Sequence, residues 1–157
     1  MKLFLRSFIA VILFTSCSSN SANEREWPSV AVQNIDGNTI DSSTVLNGNK
    51  TVISLWSTTC VPCRVELPQL QEFAASHAEV DVVAVNLGDE PESVQNYAAE
   101  IGLTMPVIID FEGRVSTALG ITSVPSTLVL SSTGKVLRTH LGEIIADELA
   151  SLVETSG

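Results

Sequence analysis

The sequence predicts an α/β protein in which helices pack on a central, partly parallel sheet, and three observations predict it. Short β-branched and apolar runs alternate with stretches of helical periodicity from Trp27 onward. Turn-forming residues such as Asp36-Gly37-Asn38 and Ser132-Thr133-Gly134 separate several of them. At 157 residues, with 45% hydrophobic and 17% charged residues, the chain is long enough and apolar enough for one domain with a real core.

The elements follow in order. Val30 to Ile35 and Thr39 to Ile40 flank Asp36-Gly37-Asn38, whose Asp-Gly favours a tight turn and so an N-terminal β-hairpin. Thr51 to Trp56 has the composition of a buried strand. A helix is predicted from Pro62 to about His77, with Val65, Leu67, Leu70, Phe73 and Ala74 on its inner side. Val80 to Val85 is the next strand. Asp89 and Pro91 then open a helix whose Val94, Tyr97, Ala98 and Ile101 fall at i, i+3, i+4 and i+7, with Gly102 where a C-terminal cap belongs. Pro106 to Ile109 reads as a strand, Val115 to Leu119 as a short helix, and Ser126 to Leu130 and Lys135 to Thr139 as paired strands. A last helix runs from about Glu143 to Val153, with Ile145, Leu149, Leu152 and Val153 inward.

Ahead of this domain the sequence carries processing signals. Residues 1–16 place Lys2 and Arg6 before a short apolar run, Phe8 to Phe14, that stops well before the ~20 residues a membrane span requires. This is the layout of a signal peptide for export. Phe14-Thr15-Ser16-Cys17 resembles the lipobox of bacterial lipoproteins, although Phe14 stands where leucine is usual, and the resemblance makes Cys17 the lipidated first residue of the mature chain. Residues 17–26 then form a lipidated anchor with a flexible polar tether, and 27–157 form the domain. The expected location is extracytoplasmic, on the periplasmic side, membrane-anchored through the lipid. Removing Lys2 and Arg6 leaves six basic residues against 18 acidic ones, which moves the formal charge from -10 to -12. Nucleic acid is excluded as a partner, because its phosphates need Lys and Arg contacts.

The chemistry lies in Leu55 to Pro68, LWSTTCVPCRVELP. With Cys17 set aside, Cys60 and Cys63 are the remaining thiols of an exported chain, where disulfides persist. Cys60 follows a predicted buried strand and opens a predicted helix. The N-H groups and dipole there favour a thiolate, the nucleophile of thiol-disulfide exchange. Cys63 lies one turn further in, close enough to close a disulfide. A zinc clip would need further ligands, for which only His77 and His140 are offered. A purely structural disulfide would close too small a loop to restrain the unfolded chain.

Trp56, Cys60, Pro62, Cys63, Arg64, Glu66 and Pro68 together match the motif W-x-x-x-C-x-P-C-[RK]-x-E-x-P. Downstream, Gly102 to Gly142 matches a second region. On these residues the chain resembles the TlpA/ResA-like branch of the thioredoxin superfamily. The resemblance implies a thioredoxin-like fold, a central mixed sheet flanked by helices, with an N-terminal β-hairpin and a βα insertion. It implies a thiol-disulfide oxidoreductase, a reductase of oxidised envelope proteins, with Cys60 attacking and Cys63 resolving the mixed disulfide. Pro125 would be the cis-proline beside the dithiol, leaving Val124 backbone groups free for an extended client. Trp56, Val61 and Pro62 would complete the client-binding surface, and Pro68 would kink the helix. Ser54 occupies the position where cytoplasmic thioredoxins keep a buried Asp, which leaves Glu66 as the acceptor for the Cys63 proton. Thr59 departs from the family, where Trp is usual.

The implied partners are oxidised client proteins, a membrane thiol-electron donor and the membrane itself through the lipid. Clients of such relatives include apocytochrome cysteines in cytochrome c maturation and copper-site cysteines. No cofactor or metal is expected. Two alternatives use the same residues. A peroxiredoxin-like thiol peroxidase fits Ser57, but Ile53 replaces the proline of that motif. A copper-binding chaperone would carry three residues between its cysteines, and this chain carries two.

Overall fold

The computed structural model describes residues 25–157. The signal peptide, Cys17 and most of the expected tether lie outside the described residues.

The order is β1 (Ala31–Asn34), β2 (Thr39–Asp41), a 3-10 turn (Ser42–Val45), β3 (Lys50–Trp56), α1 (Val61–Ser76), β4 (Val80–Leu87), α2 (Pro91–Glu100), β5 (Val107–Asp110), α3 (Arg114–Leu119), β6 (Ser126–Leu130), β7 (Val136–Leu141) and α4 (Ala146–Glu154). The strands form one seven-stranded sheet in the order β2-β1-β5-β4-β3-β6-β7. The β3-β4 and β4-β5 pairs are parallel, and the remaining pairs are antiparallel. The central strands β3 and β4 read as near-continuous apolar runs because both of their faces are covered.

Successive residues of a strand face opposite sides, and the two core layers sort accordingly. Val52, Val82 and Val129 pack with Leu67, Leu70, Val94 and Leu149, under α1, α2 and α4. Ile53, Val83 and Leu128 pack with Val115, Leu119 and Trp27 on the opposite face.

The chain enters the fold two residues ahead of the expected boundary. Glu26 bridges Lys135, the Val136 N-H donates to the Arg25 carbonyl, and the Arg25 guanidinium reaches Leu119 O and Thr139 Oγ1. An edge strand has free backbone groups to offer, and these two residues take some of them. Trp27 then turns inward, its Nε1-H donating to Ser42 O at 2.9 Å. Gly134 is required beside it: its φ is +88°, and a Cβ there would meet Leu46 Cδ1 at 2.7 Å.

The hairpin, β3, β4, α2, β5, α3 and the β6-β7 pair lie where the sequence places them, within one or two residues. Three details differ. Val65 is 54% exposed, because the buried stripe of α1 runs through Cys63, Glu66, Leu67, Leu70 and Phe73. Val65 and Leu67 are two residues apart, about 200° around a helix, so both cannot face the core. The last helix starts at Ala146 rather than Glu143, and Ile144, not Ile145, points inward. Both residues precede the helix, Ile145 as its extended N-cap, and Ile145 is left 50% exposed. Asp89 does not cap α2, whose N-cap is Glu90.

The stripe on α1 makes a testable contrast. Leu70→Ala should destabilise the domain by roughly 2–5 kcal/mol, whereas Val65→Ala should stay within about 0.5 kcal/mol. Urea unfolding of both variants measures it, and equal losses would contradict this packing.

Candidate active site

The site forms where β3 ends. β3 is paired on both edges, by β4 and β6, and its last residue, Trp56, is fully buried. The chain then surfaces through Ser57, Thr58 and Thr59 and turns into α1 at Cys60. Cys60 is the N-cap, in extended conformation, and its Sγ accepts the Cys63 N-H at 3.2 Å. Pro62 falls in the first turn, where the missing N-H costs nothing.

Cys60 and Cys63 are joined by a disulfide with a Cα separation of 5.3 Å. Their environments differ. Cys60 is partly exposed beside the 72%-exposed Val61, whereas Cys63 is 1% exposed. The partly exposed cysteine sits at a helix N-terminus, where a thiolate is favoured, and the other is shielded.

The peptide Val124-Pro125 is cis. Register carries it to the dithiol: Leu55 pairs with Ser126, so Pro125 lies at the level of Trp56, where β3 gives way to the loop before Cys60. Gly142 N-H donates to Pro125 O at 2.9 Å. Val124 makes no backbone hydrogen bond to any described residue.

Trp56 does not sit on a client-binding surface. With none of its area exposed it supports the site from beneath, against Tyr97 at 5.3 Å between ring centroids. Arg64 lies over the other partner, its guanidinium 4.9 Å from the Tyr97 ring centre.

Glu66 is not a solvated helix charge. It is 1% exposed, its Oε1 accepting from Ser54 Oγ at 3.2 Å and its Oε2 from the Ile144 N-H at 3.1 Å. Burial pushes its pKa above the ordinary carboxylate value, partly offset by those two hydrogen bonds. Glu143 pushes it up further and His140 pulls it down. Cys63 and Glu66 are i, i+3 on the inner side of α1, so a buried carboxylate and the buried cysteine share one helix face.

Sequence reasoning missed Asp89 and Asn86 as site residues. Asp89 Oδ2 accepts from the Thr58 N-H at 2.6 Å and from Asn86 Nδ2 at 2.7 Å, which pins the loop leading to Cys60. The available signal was Asn86, a polar residue within the apolar β4 run, fully buried and paired with Trp56. Neither histidine joins the site through a ligand set. His77 stacks on Phe73 at the end of α1, and His140 contacts Glu143 O.

A partly parallel sheet carrying a disulfide at a helix N-terminus, with a cis-proline alongside, defines a thioredoxin-like protein of dithiol-disulfide exchange. The chain belongs to the redoxin family, matched over residues 22–154, and within it to the ResA-like thiol-disulfide oxidoreductases. It is 26% identical over 166 residues to the thiol-disulfide oxidoreductase ResA of Halalkalibacterium halodurans, covering 98% of this chain and 94% of that one. It is 30% identical over 119 residues to the sporulation thiol-disulfide oxidoreductase A of Bacillus subtilis, covering 73% and 72%. Among solved structures, StoA of Bacillus subtilis superposes with a TM-score of 0.68 at 27% identity, over 81% of this chain and 97% of StoA. MTB DsbF, in mixed oxidised and reduced forms, gives 0.72 at 26% identity, over 82% and 96%. The protein is a thiol-disulfide oxidoreductase.

A carboxylate whose folded pKa is raised makes the folded state lose stability as pH rises. The contribution is fully present below the ordinary value of 4.5 and disappears as pH climbs through the raised folded value. Urea unfolding of the oxidised protein at a series of pH values from 4 upward should therefore show a decline that Glu66→Gln flattens. A decline of unchanged size in that variant would remove Glu66 as its source.

Proposed function

We propose that this protein is an extracytoplasmic reductase of oxidised client proteins, held at the membrane by a lipid on Cys17. One observation carries the reading: an accessible Cys60 at a helix N-terminus is disulfide-bonded to a shielded Cys63.

In the reduced protein the Cys60 thiolate attacks one sulfur of a client disulfide. The client's other sulfur leaves as thiolate, and a Cys60-client mixed disulfide remains. Cys63 then gives its proton to Glu66 and attacks Cys60 Sγ, releasing the client's second thiolate. Two electrons have passed to the client, and the Cys60–Cys63 disulfide is restored. A membrane thiol-electron donor reduces it again by the reverse exchange.

Val61, Pro62 and Val124 form the surface a client meets, with the Val124 N-H and C=O available to an extended segment. The 65%-exposed Leu141 extends it, since it pairs with Ser126 next to Pro125. Envelope clients such as apocytochrome cysteines are the class this chemistry suits. Export rests on residues 1–16, and anchoring on Phe14-Thr15-Ser16-Cys17. Among the described residues no helix is long and apolar enough to cross a membrane.

Equilibration with glutathione or dithiothreitol buffers tests the direction of transfer. The Cys60/Cys63 couple should lie nearer ~ -270 mV than the ~ -120 mV of a strong oxidant. A value at the oxidant end would make this a disulfide-forming enzyme.

Metabolic labelling with a fatty-acid probe tests the anchor separately. Cys17→Ala should abolish incorporation while the purified domain keeps full exchange activity; label retained in the variant would refute lipidation at this cysteine.

A further inference from the structure

The edge of β4 is half empty. Along one side β4 pairs with β3 from Val80 to Asn86, but along the other it pairs with β5 only from Ala84 to Leu87. Alternate residues of a strand turn both backbone groups to the same edge, and the Ala84 N-H donates to Pro106 O. Val82 therefore directs its N-H and C=O to the β5 side as well. The next donor down that ladder would be residue 106, a proline without an N-H. The loop before it is held elsewhere: Gln71 on α1 accepts the Thr104 N-H at 2.5 Å and donates to Gly102 O at 3.2 Å. Val82, only 4% exposed, is left with neither backbone group hydrogen-bonded on that edge among the described residues.

A cleft of about 940 Å³ opens on this edge. Ala74 and Ala75 of α1 and Ala78 just beyond it leave room along one wall. Asp81 lines it with a buried Oδ2 that has no hydrogen-bond partner among the described residues. Glu72 adds a second acid, and among the described residues no Lys, Arg or His lines the cleft.

We propose that this cleft binds an extended polypeptide segment carrying a basic side chain, which adds beside Val80–Val83 as the continuation of β5. A strand fits because a buried residue's paired N-H and C=O, lying in the plane of a sheet, are matched by another strand's backbone. The basic residue answers Asp81, whose unpartnered carboxylate oxygen calls for a charged donor. Val82 is four residues along β4 from Asn86, which stands level with Trp56, so roughly 13 Å separate the slot from the level of the site. A segment held here leaves Cys60 open. The proposal stands independently of the direction in which the dithiol works.

The test uses the full oxidised chain and two pools of acetylated hexapeptides with alternating valines, one with a fixed Lys and one with a fixed Glu. Hydrogen exchange is read residue by residue by NMR. In the free protein the Val82 N-H should exchange at least about tenfold faster than that of Ala84. The Lys pool should protect it, and the Glu pool should not. Asp81→Asn should weaken binding of the Lys pool about tenfold, the loss of one charge-assisted hydrogen bond. Pro106→Ala, which restores an N-H for the Val82 carbonyl, should weaken it too. The proposal is overturned if neither pool protects Val82, if both protect it equally, or if neither variant weakens binding. It is overturned also if Val82 is already protected in the free chain. Protection independent of protein concentration would then assign the slot to residues 1–24, and protection that grows with concentration would assign it to a second copy.

Discussion

Everything at the working end of the molecule depends on β3 being enclosed. Its residues from Thr51 to Trp56 are buried, with β4 on one edge and β6 on the other, so no ladder position is left for slippage. A strand held this firmly delivers its last residue to a fixed point. Trp56, Pro125 and Asn86 meet there by register alone, and the chain that leaves β3 must rise into α1 within a few residues. Cys60 is thus placed by the sheet before any contact of its own is counted.

Glu66 ties this arrangement to the rest of the core. A buried carboxylate must be bonded on the spot, and its two oxygens recruit β3 through Ser54 and the segment before α4 through Ile144. That bond explains two features at once. It turns Ile144 inward and leaves Ile145 outside, and it fixes which face of α1 is buried. The carboxylate that shares the inner face of α1 with Cys63 therefore also sets the seat of the C-terminal helix.

The parts of the fold legible in the sequence are those set by short-range chemistry. Asp36-Gly37 makes its turn, Pro91 and Gly102 bracket α2, and the spacing of Cys60, Cys63 and Pro125 carries the site. What was misread depends on partners far along the chain. Glu66 looks polar, so counting apolar residues on α1 brings in Val65 in its place. Asp89 looks like a helix cap beside Pro91, and only the folded sheet brings it to Thr58, 31 residues away. Trp56 looks like part of a binding surface because it is aromatic and near the cysteines, yet a residue ending a doubly paired strand has no route to solvent.

The pairing of Arg25 and Glu26 with the start of β7 decides at which end of the sheet the described chain enters the domain. β6 begins at Ser126, just past Pro125, and ends at Leu130 before the turn that holds Gly134, about 17 Å from Pro125. The N-terminal segment meets the sheet at that turn, with the Arg25 guanidinium and the Trp27 indole as fastenings. Arg25 thus lies at the foot of the domain. The dithiol lies toward the opposite end of β6, so a force applied at Arg25 would load the β7 edge before it reached the cysteines.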